Sequence, residues 1–159
     1  MTSAPRPQHV PAHPGSSSRT VSRRMSRAKR RDTAPEFSLR LRLHALGLRY
    51  RVAYPVPGQR RRSIDIAFTR ARLAVFVDGC FWHGCEEHGI MPTANSEWWR
   101  TKIGANKSRD RDTDRVLMQQ GWMVLRVWEH EEPATAVDRI AATYHSRMNP
   151  VTVRRKLSN

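Results

Sequence analysis

Both cysteines of the chain, Cys80 and Cys85, and two of its seven histidines, His83 and His88, fall within the eleven residues Asp78-Gly79-Cys80-Phe81-Trp82-His83-Gly84-Cys85-Glu86-Glu87-His88. Thiolate sulfur and neutral imidazole suit a tetrahedral, borderline-soft ion such as zinc, and ligands so close in sequence would fold their loop around it. The pair Phe81-Trp82 stands among these donors, and Pro92 and a second pair, Trp98-Trp99, follow. Metal donors and large flat side chains in one segment point to a loop that holds an ion and stacks on something flat. In a chain of formal net charge +15 the obvious flat partner is a nucleic-acid base.

The charge is unevenly placed. Residues 1–31 carry eight Lys/Arg (Arg6, Arg19, Arg23, Arg24, Arg27, Lys29, Arg30 and Arg31) and no acid, which leaves +7 for the remainder. Such a surplus favours a polyanion, because Lys and Arg neutralise phosphates and release their counterions. Residues 1–24 are rich in Pro, Ser and Arg without an apolar period. They are expected as a disordered basic tail, compatible with a DNA-binding arm. Residues 25–147 are expected as one domain and 148–159 as a C-terminal tail. No apolar run approaches the roughly 18 residues of a membrane span, and the basic N-terminus lacks the apolar stretch of a secretory signal. A cytoplasmic protein with reduced cysteines is expected.

The periodicity gives an α/β order. Thr33-Ala34-Pro35-Glu36 reads as a capping box, and Leu39, Leu43 and Leu46 continue one face of a helix over about 34–46, stopped by Gly47. Leu48 to Val52 alternates as a strand with one wet face, and Pro55, Pro57 and Gly58 mark a turn. Ser63–Phe68 and the wholly apolar Leu73–Val77 read as two further strands. A helical region is expected over Ser96–Gln119, interrupted near Gly104, then a strand over Met123–Trp128 and a helix after Pro133. The sum is a sheet flanked by helices.

Five residues are candidate zinc ligands: Cys80, His83, Cys85, His88 and, 42 residues after His88, His130. A structural site takes four. His130 lies just past the strand Met123–Trp128, whose end can return beside the end of Leu73–Val77. One set is then Cys80, Cys85, His88 and His130, leaving His83 free. The other uses His83 and leaves His88 or His130 at the surface. Two buried cysteines among ordinary histidines would give the same pattern with no metal.

Among the acids, Asp65 is alone on its strand, between Ile64 and Ile66, where burial without a partner is costly. It reads either as the wet face of a one-sided strand or as a carboxylate holding Mg²⁺ against a scissile phosphate, since magnesium takes hard oxygen ligands. Asp78, just past the next strand, is a further candidate ligand. Glu36 has a role as the third residue of its capping box. Asp110, in the run Lys107-Ser108-Arg109-Asp110-Arg111-Asp112, reads equally as part of a solvated helix face.

Together these residues resemble the very-short-patch mismatch repair endonucleases of bacteria, from about Met25 to Glu132. The likeness is carried by Met25-Ser26-Arg27, Arg31-Asp32-Thr33-Ala34-Pro35-Glu36, Leu43-His44-Ala45-Leu46-Gly47-Leu48-Arg49-Tyr50-Arg51 and Ile64-Asp65-Ile66. Gly79-Cys80-Phe81-Trp82-His83-Gly84, Trp99, Lys102-Ile103, Asn106, Arg109-Asp110 and Gly121-Trp122 through Trp128-Glu129 complete it. The resemblance implies a restriction-endonuclease-like mixed sheet flanked by helices, with a structural zinc. It implies nicking of double-stranded DNA 5′ to the thymine of a T:G mismatch, the lesion left by deaminated 5-methylcytosine. On it, Asp65 and the backbone carbonyl of Val77 hold Mg²⁺, His83 is the catalytic histidine, and Glu36 and Asp110 support the site. Phe81, Trp82 and Trp99 become wedges beside the mismatch, with Lys102, Asn106 and Arg109 along the DNA. Trp98 is expected to pack and Trp99 to meet the DNA. A nucleoid-associated monomer, meeting other mismatch-repair proteins, follows from the same likeness.

Two departures stand out. Asp78 occupies a position where some relatives carry histidine, and the zinc set has His130 where others have cysteine, with altered spacing before His88. Asp78-Gly79-Cys80 also lacks the lysine of the (D/E)-x-K pattern common among nucleases, as the resembled family does. Two rivals differ in what they require. A non-catalytic zinc module binding DNA has no use for Asp65, His83 and Glu36 together, whereas a nuclease of the same fold acting on another DNA substrate keeps them.

Overall fold

The computed structural model describes residues 10–12, 14–15 and 33–149. The expected basic tail over 1–24 therefore lies outside the described residues except at those five positions, as does the expected C-terminal tail from residue 150 onward. Within the described residues, 33–78 and 113–149 form one compact unit; 79–112, with the described residues of 10–15, form a second.

The larger unit is built on a four-stranded mixed sheet in the order β1-β2-β3-β4. Strands β1 (Arg51–Val56), β2 (Gln59–Phe68) and β3 (Leu73–Asp78) are antiparallel neighbours; β4 (Met123–Trp128) pairs parallel to β3, Leu73 opposite Met123 and Asp78 opposite Trp128. Helix α1 (Ala34–Ala45) precedes the sheet, α2 (Ser96–Gln119) joins β3 to β4, and α3 (Pro133–Met148) closes the order. A parallel pair needs a long crossover, and the segment 79–122 supplies it.

Strand alternation gives the sheet two buried faces. Leu39, Leu43, Ile66, Phe68, Val75, Val137 and Ile140 form one core, joining α1 and α3 to the sheet; Val56, Ile64, Ala67, Ala74, Phe76 and Leu117 form the other, with the end of α2. β3 is buried on both faces and reads as the continuous apolar run that a central strand requires.

Several elements depart from the sequence expectations. Thr33 occupies the N-cap of α1 but makes no side-chain cap, so the expected capping box is not formed. Glu36 turns along the helix to Arg40 instead, Oε1 to Nη1 at 3.4 Å. The first strand starts at Arg51 rather than Leu48 and runs through Pro55, where a turn was expected. β1 is an edge strand with a register irregularity at Pro55/Val56, and an edge or a bulge tolerates a residue lacking N–H. α2 runs unbroken through Gly104, whose helical neighbours on both sides outweigh one unfavourable residue. α3 is capped by Glu132, whose side chain accepts from the Thr135 N–H. Hydrogen bonds from the Thr135 and Ala134 backbones hold that carboxyl below its usual pKa.

Candidate active site and metal cluster

The β2–β3 ladder pairs Phe68 with Leu73, Ala67 with Ala74 and Ile66 with Val75. The register goes no further. The next donor on β3, the Val77 N–H, finds the Asp65 side chain, donating to Oδ2 at 2.9 Å. A carboxylate thus takes over where two strands part, which anchors the half-buried Asp65 at the end of the central strand. N–H and C=O of one residue in a strand point to the same side, so the Val77 carbonyl faces β2 as its N–H does.

Glu36, on the first turn of α1, is 6 % exposed. A cleft of about 540 Å³ opens in the same unit, with Ala34 and Pro35 of α1, Val77, and Trp128, Glu129 and His130 at the end of β4 in its wall.

Asp78 has a strong partner that the sequence reading did not identify. Arg126 Nη1 donates to both Asp78 oxygens at 2.8 and 2.9 Å, while Nε and Nη2 donate to the two oxygens of Asp114 at 3.0 and 2.8 Å. The guanidinium also lies 4.8 Å over the Phe76 ring. Burial alone would lower the Arg126 pKa, but the hydrogen bonds and charges of Asp114 and Asp78 outweigh it and hold the group above its usual value. Asp78, 4 % exposed, is therefore committed to an ion pair. The signal was present in sequence as an arginine within an otherwise apolar strand, but its partners lie 12 and 48 residues away.

The smaller unit carries the Cys/His loop. His83 Nδ1 lies 2.7 Å from Asp110 Oδ2 on α2. Both side chains keep some solvent access, as a proton-transfer group needs. The loop is tightly wound: His83 N–H donates to the Gly79 carbonyl, Cys85 N–H to Cys80 and Gly89 N–H to Cys85. Gly84 has φ +61°, and a Cβ there would lie 2.7 Å from Lys107 Cε and 2.8 Å from Ile103 Cγ2, so glycine is required.

Cys80 and Cys85 are buried and not joined in a disulfide. Their sulfurs and an imidazole nitrogen of His88 lie within 4.8 Å of one another, with Cys85 Sγ 4.0 Å from His88 Nδ1. Two soft sulfurs and an imidazole nitrogen at this spacing fit a thiophilic ion. The loop thus gathers His88 with the cysteines, while His83 meets Asp110. His130 belongs to the larger unit, two residues beyond β4, its ring stacked on Trp128 at 6.2 Å and 15°.

The aromatics form a cluster. Phe81 packs against Trp82 and Trp99 at 5.1 Å each, and Trp98 against Trp99 at 4.7 Å. The expected division between the two adjacent tryptophans is reversed in burial. Trp99 is 5 % exposed, whereas Trp98 is half-buried and donates its Nε1–H to the Pro11 carbonyl. Trp99 shares a buried face of α2 with Ile103 and Asn106, which leaves Trp98 on a more exposed one. Phe81 and Trp82 remain half-buried. Asn106 is 8 % exposed and donates to the Trp82 carbonyl, tying the aromatic loop to the helix; Lys102 is half-buried and Arg109 exposed.

The larger unit thus holds a carboxylate at a strand fork, and the smaller a His–Asp pair and a Cys/His loop. Residues 16–88 match the family model described as DNA mismatch endonuclease Vsr. The chain is 45 % identical over 127 residues to the type II nicking enzyme V.NaeI of Lentzea aerocolonigenes, covering 78 % of this chain and 76 % of that one. It is 38 % identical over 114 residues to the DNA mismatch endonuclease Vsr of Escherichia coli K12, covering 69 % of each. The type II nicking enzyme V.XorIIP of Xanthomonas oryzae is 38 % identical over 112 residues, covering 67 % of this chain and 77 % of its own. The chain belongs to the Vsr endonuclease family and is a DNA endonuclease. Among the described residues no helix is long and apolar enough to cross a membrane.

Proposed function

We propose that the protein nicks one strand of duplex DNA 5′ to the thymine of a T:G mismatch, with Mg²⁺ at Asp65 and zinc as a structural ion. The observation that carries this reading is the His83–Asp110 pair, 2.7 Å apart beside the half-buried Phe81 and Trp82, in a chain of this family. With its proton on Nδ1, His83 donates to Asp110 and presents Nε2 as the base that takes a proton from the attacking water. Asp110 fixes the ring and stabilises the imidazolium that forms.

The Asp65 carboxylate and the Val77 carbonyl are hard oxygens turned to the same strand gap, a donor set that fits magnesium. Mg²⁺ bound there would neutralise charge building on the scissile phosphate. Glu36 supports that charge balance from the first turn of α1.

For zinc, Cys80, Cys85 and His88 would supply three donors, and His130 is the residue we assign as the fourth. Cys80 follows Asp78 by two residues and His130 follows Trp128 by two, and Asp78 is registered opposite Trp128. Two strands leaving the sheet side by side thus favour a shared clip. Phe81 and Trp82 enter the stack beside the mismatch, which costs less to open than a matched pair. Trp99 backs them, and Lys102 and Arg109 follow the phosphates.

The test is a nicking assay on duplexes identical except for one T:G or matched pair, with Mg²⁺ or chelator. Strand-specific nicking of the T:G duplex alone is expected. Binding without nicking would assign a non-catalytic module; nicking of the matched duplex would assign another DNA substrate.

A further inference from the structure

The β1–β2 hairpin holds a feature that the catalytic reading leaves unused. Pro55 of β1 is registered opposite Ser63 of β2, yet the very next residue, Val56, is opposite Gln59. Arg60, Arg61 and Arg62 therefore face the single Pro55–Val56 link, and no β1 residue is registered opposite them. The whole excess of the bulge is arginine. Three guanidinium groups in succession repel one another, and a bulge whose only content is like charge has no packing reason to exist. Bulges re-aim side chains and gather beside active sites.

The surroundings hold the bulge in place. Arg62 Nη1 donates to Thr113 Oγ1 of α2 at 3.0 Å, and Gln120 Nε2 donates to the Pro57 carbonyl at the hairpin turn, 3.1 Å. Val56 and Ile64, on either side, are buried against Leu117. The hairpin is thus pinned while Arg60 and Arg61 stand exposed, with no carboxylate partner among the described residues. β2 also carries Asp65, three residues beyond Arg62, or about 10 Å along a strand.

Resting on the endonuclease reading above, we propose that Arg60 and Arg61 form a clasp on the DNA backbone, gripping phosphates next to the one that Asp65 faces, with Arg62 setting its direction. The partner is duplex DNA read through its phosphates, not its bases. The clasp contributes affinity and register equally on matched and mismatched duplex. Its pinned backbone reduces the ordering cost of each contact, and guanidinium forks suit phosphate oxygens.

The experiment measures duplex affinity across a salt series without Mg²⁺, for the parent protein, Arg60→Gln, Arg61→Gln, the double variant and Arg70→Gln. Arg70 is an exposed arginine just past the opposite end of the same strand and serves as the charge control. The double variant should lose about 1.8 from the slope of log K against log salt, about 0.9 per phosphate contact, while Arg70→Gln stays at the parent slope. With Mg²⁺ and saturating duplex, the nicking rate of the Arg70→Gln control should stay within about twofold of the parent. An unchanged slope in the double variant, or an equal fall in Arg70→Gln, overturns the clasp. Thermal melts of each variant identify any loss of folding, and the two single variants carry the test should the double one unfold. A parent protein that binds and nicks while the arginines prove silent sinks this inference alone. A parent that binds T:G duplex with the expected slopes but never nicks it sinks the endonuclease reading alone.

Discussion

His83 on a tightly wound loop and Asp110 on helix α2 meet at 2.7 Å, Nδ1 to Oδ2. The contact spans 27 residues of sequence, and the loop is pinned beside it by the Asn106 amide on the Trp82 carbonyl. An imidazole held on one nitrogen presents the other in a fixed direction, which is the geometry of a general base with its orienting carboxylate. Replacing His83 by Ala should lower the single-turnover nicking rate by about 10²–10⁴-fold. Asp110→Asn should cost less, since the ring stays but loses its preferred tautomer. Quench-flow rates at saturating duplex check both; an Asp110→Asn protein slower than His83→Ala would give the carboxylate a role of its own.

Asp65 offers a second separation. Asp65→Asn keeps an oxygen able to accept from the Val77 N–H, so the strand fork should survive. The charge that holds Mg²⁺ is lost. Nicking should fall below detection while the melting temperature stays close to the parent, and duplex affinity should hold or tighten as repulsion of the phosphate disappears. Nicking near the parent rate would remove Asp65 from the centre.

The strand fork itself could not be read from the sequence. Ser63–Phe68 and Leu73–Val77 were legible because one alternates and the other is uniformly apolar. Where their ladder ends depends on register, which a single sequence leaves open. The arginine bulge is hidden for the same reason: the expected strand begins at Ser63, and only pairing with β1 extends β2 back to Gln59. Trp98 and Trp99 were recognised as unequal, but their order depends on helix phase, which the chain fixes through Ile103 and Asn106. By contrast, Met123–Trp128 emerged with the bounds expected of it, because Gly121 and the polar turn after Trp128 mark both ends. In the Cys/His loop, the donors were visible as spacing, whereas the pairing of His83 with Asp110 across 27 residues was not.

Arg126 holds Asp78 and Asp114 together, and its removal would strand two carboxylates. Breaking such a pair from one side costs about 3–5 kcal/mol when the remaining charge is buried. Arg126→Met should therefore lower the melting temperature by roughly 10 °C for a chain of this size. Adding Asp78→Asn and Asp114→Asn to it should recover much of the loss, because no charge is left uncompensated. A triple variant no more stable than Arg126→Met would show that the ion pairs matter less than the Phe76 contact.

The two histidine roles separate by metal content. His130→Ala should lose zinc affinity by more than the roughly 10–100-fold that an outer-shell partner costs, and melt lower, because metal binding is coupled to folding. His83→Ala should keep stoichiometric zinc and its melting temperature. Elemental analysis of the purified proteins decides it, and zinc lost from His83→Ala but kept in His130→Ala would exchange the assignments.

The aromatic cluster divides into an outer pair and a backing ring. Trp99 is enclosed by Phe81, Trp82 and Trp98, so Trp99→Ala leaves a cavity in the smaller unit and should cost about 3–5 kcal/mol of stability. Trp82 is half-buried, its carbonyl held by Asn106 and its ring edge-on to Phe81 and Trp99, so the solvent-exposed part of the indole is what can stack on a base. Stacking contributes on the order of 1–3 kcal/mol per base, so Trp82→Ala should weaken binding to T:G duplex roughly tenfold or more. Matched duplex, held through its phosphates, should lose much less. The measurement is the affinity of both variants for both duplexes at one salt concentration, beside their thermal melts. Equal losses on the two duplexes from Trp82→Ala would make the indole a packing residue, and recognition of the mismatch would then pass to Phe81.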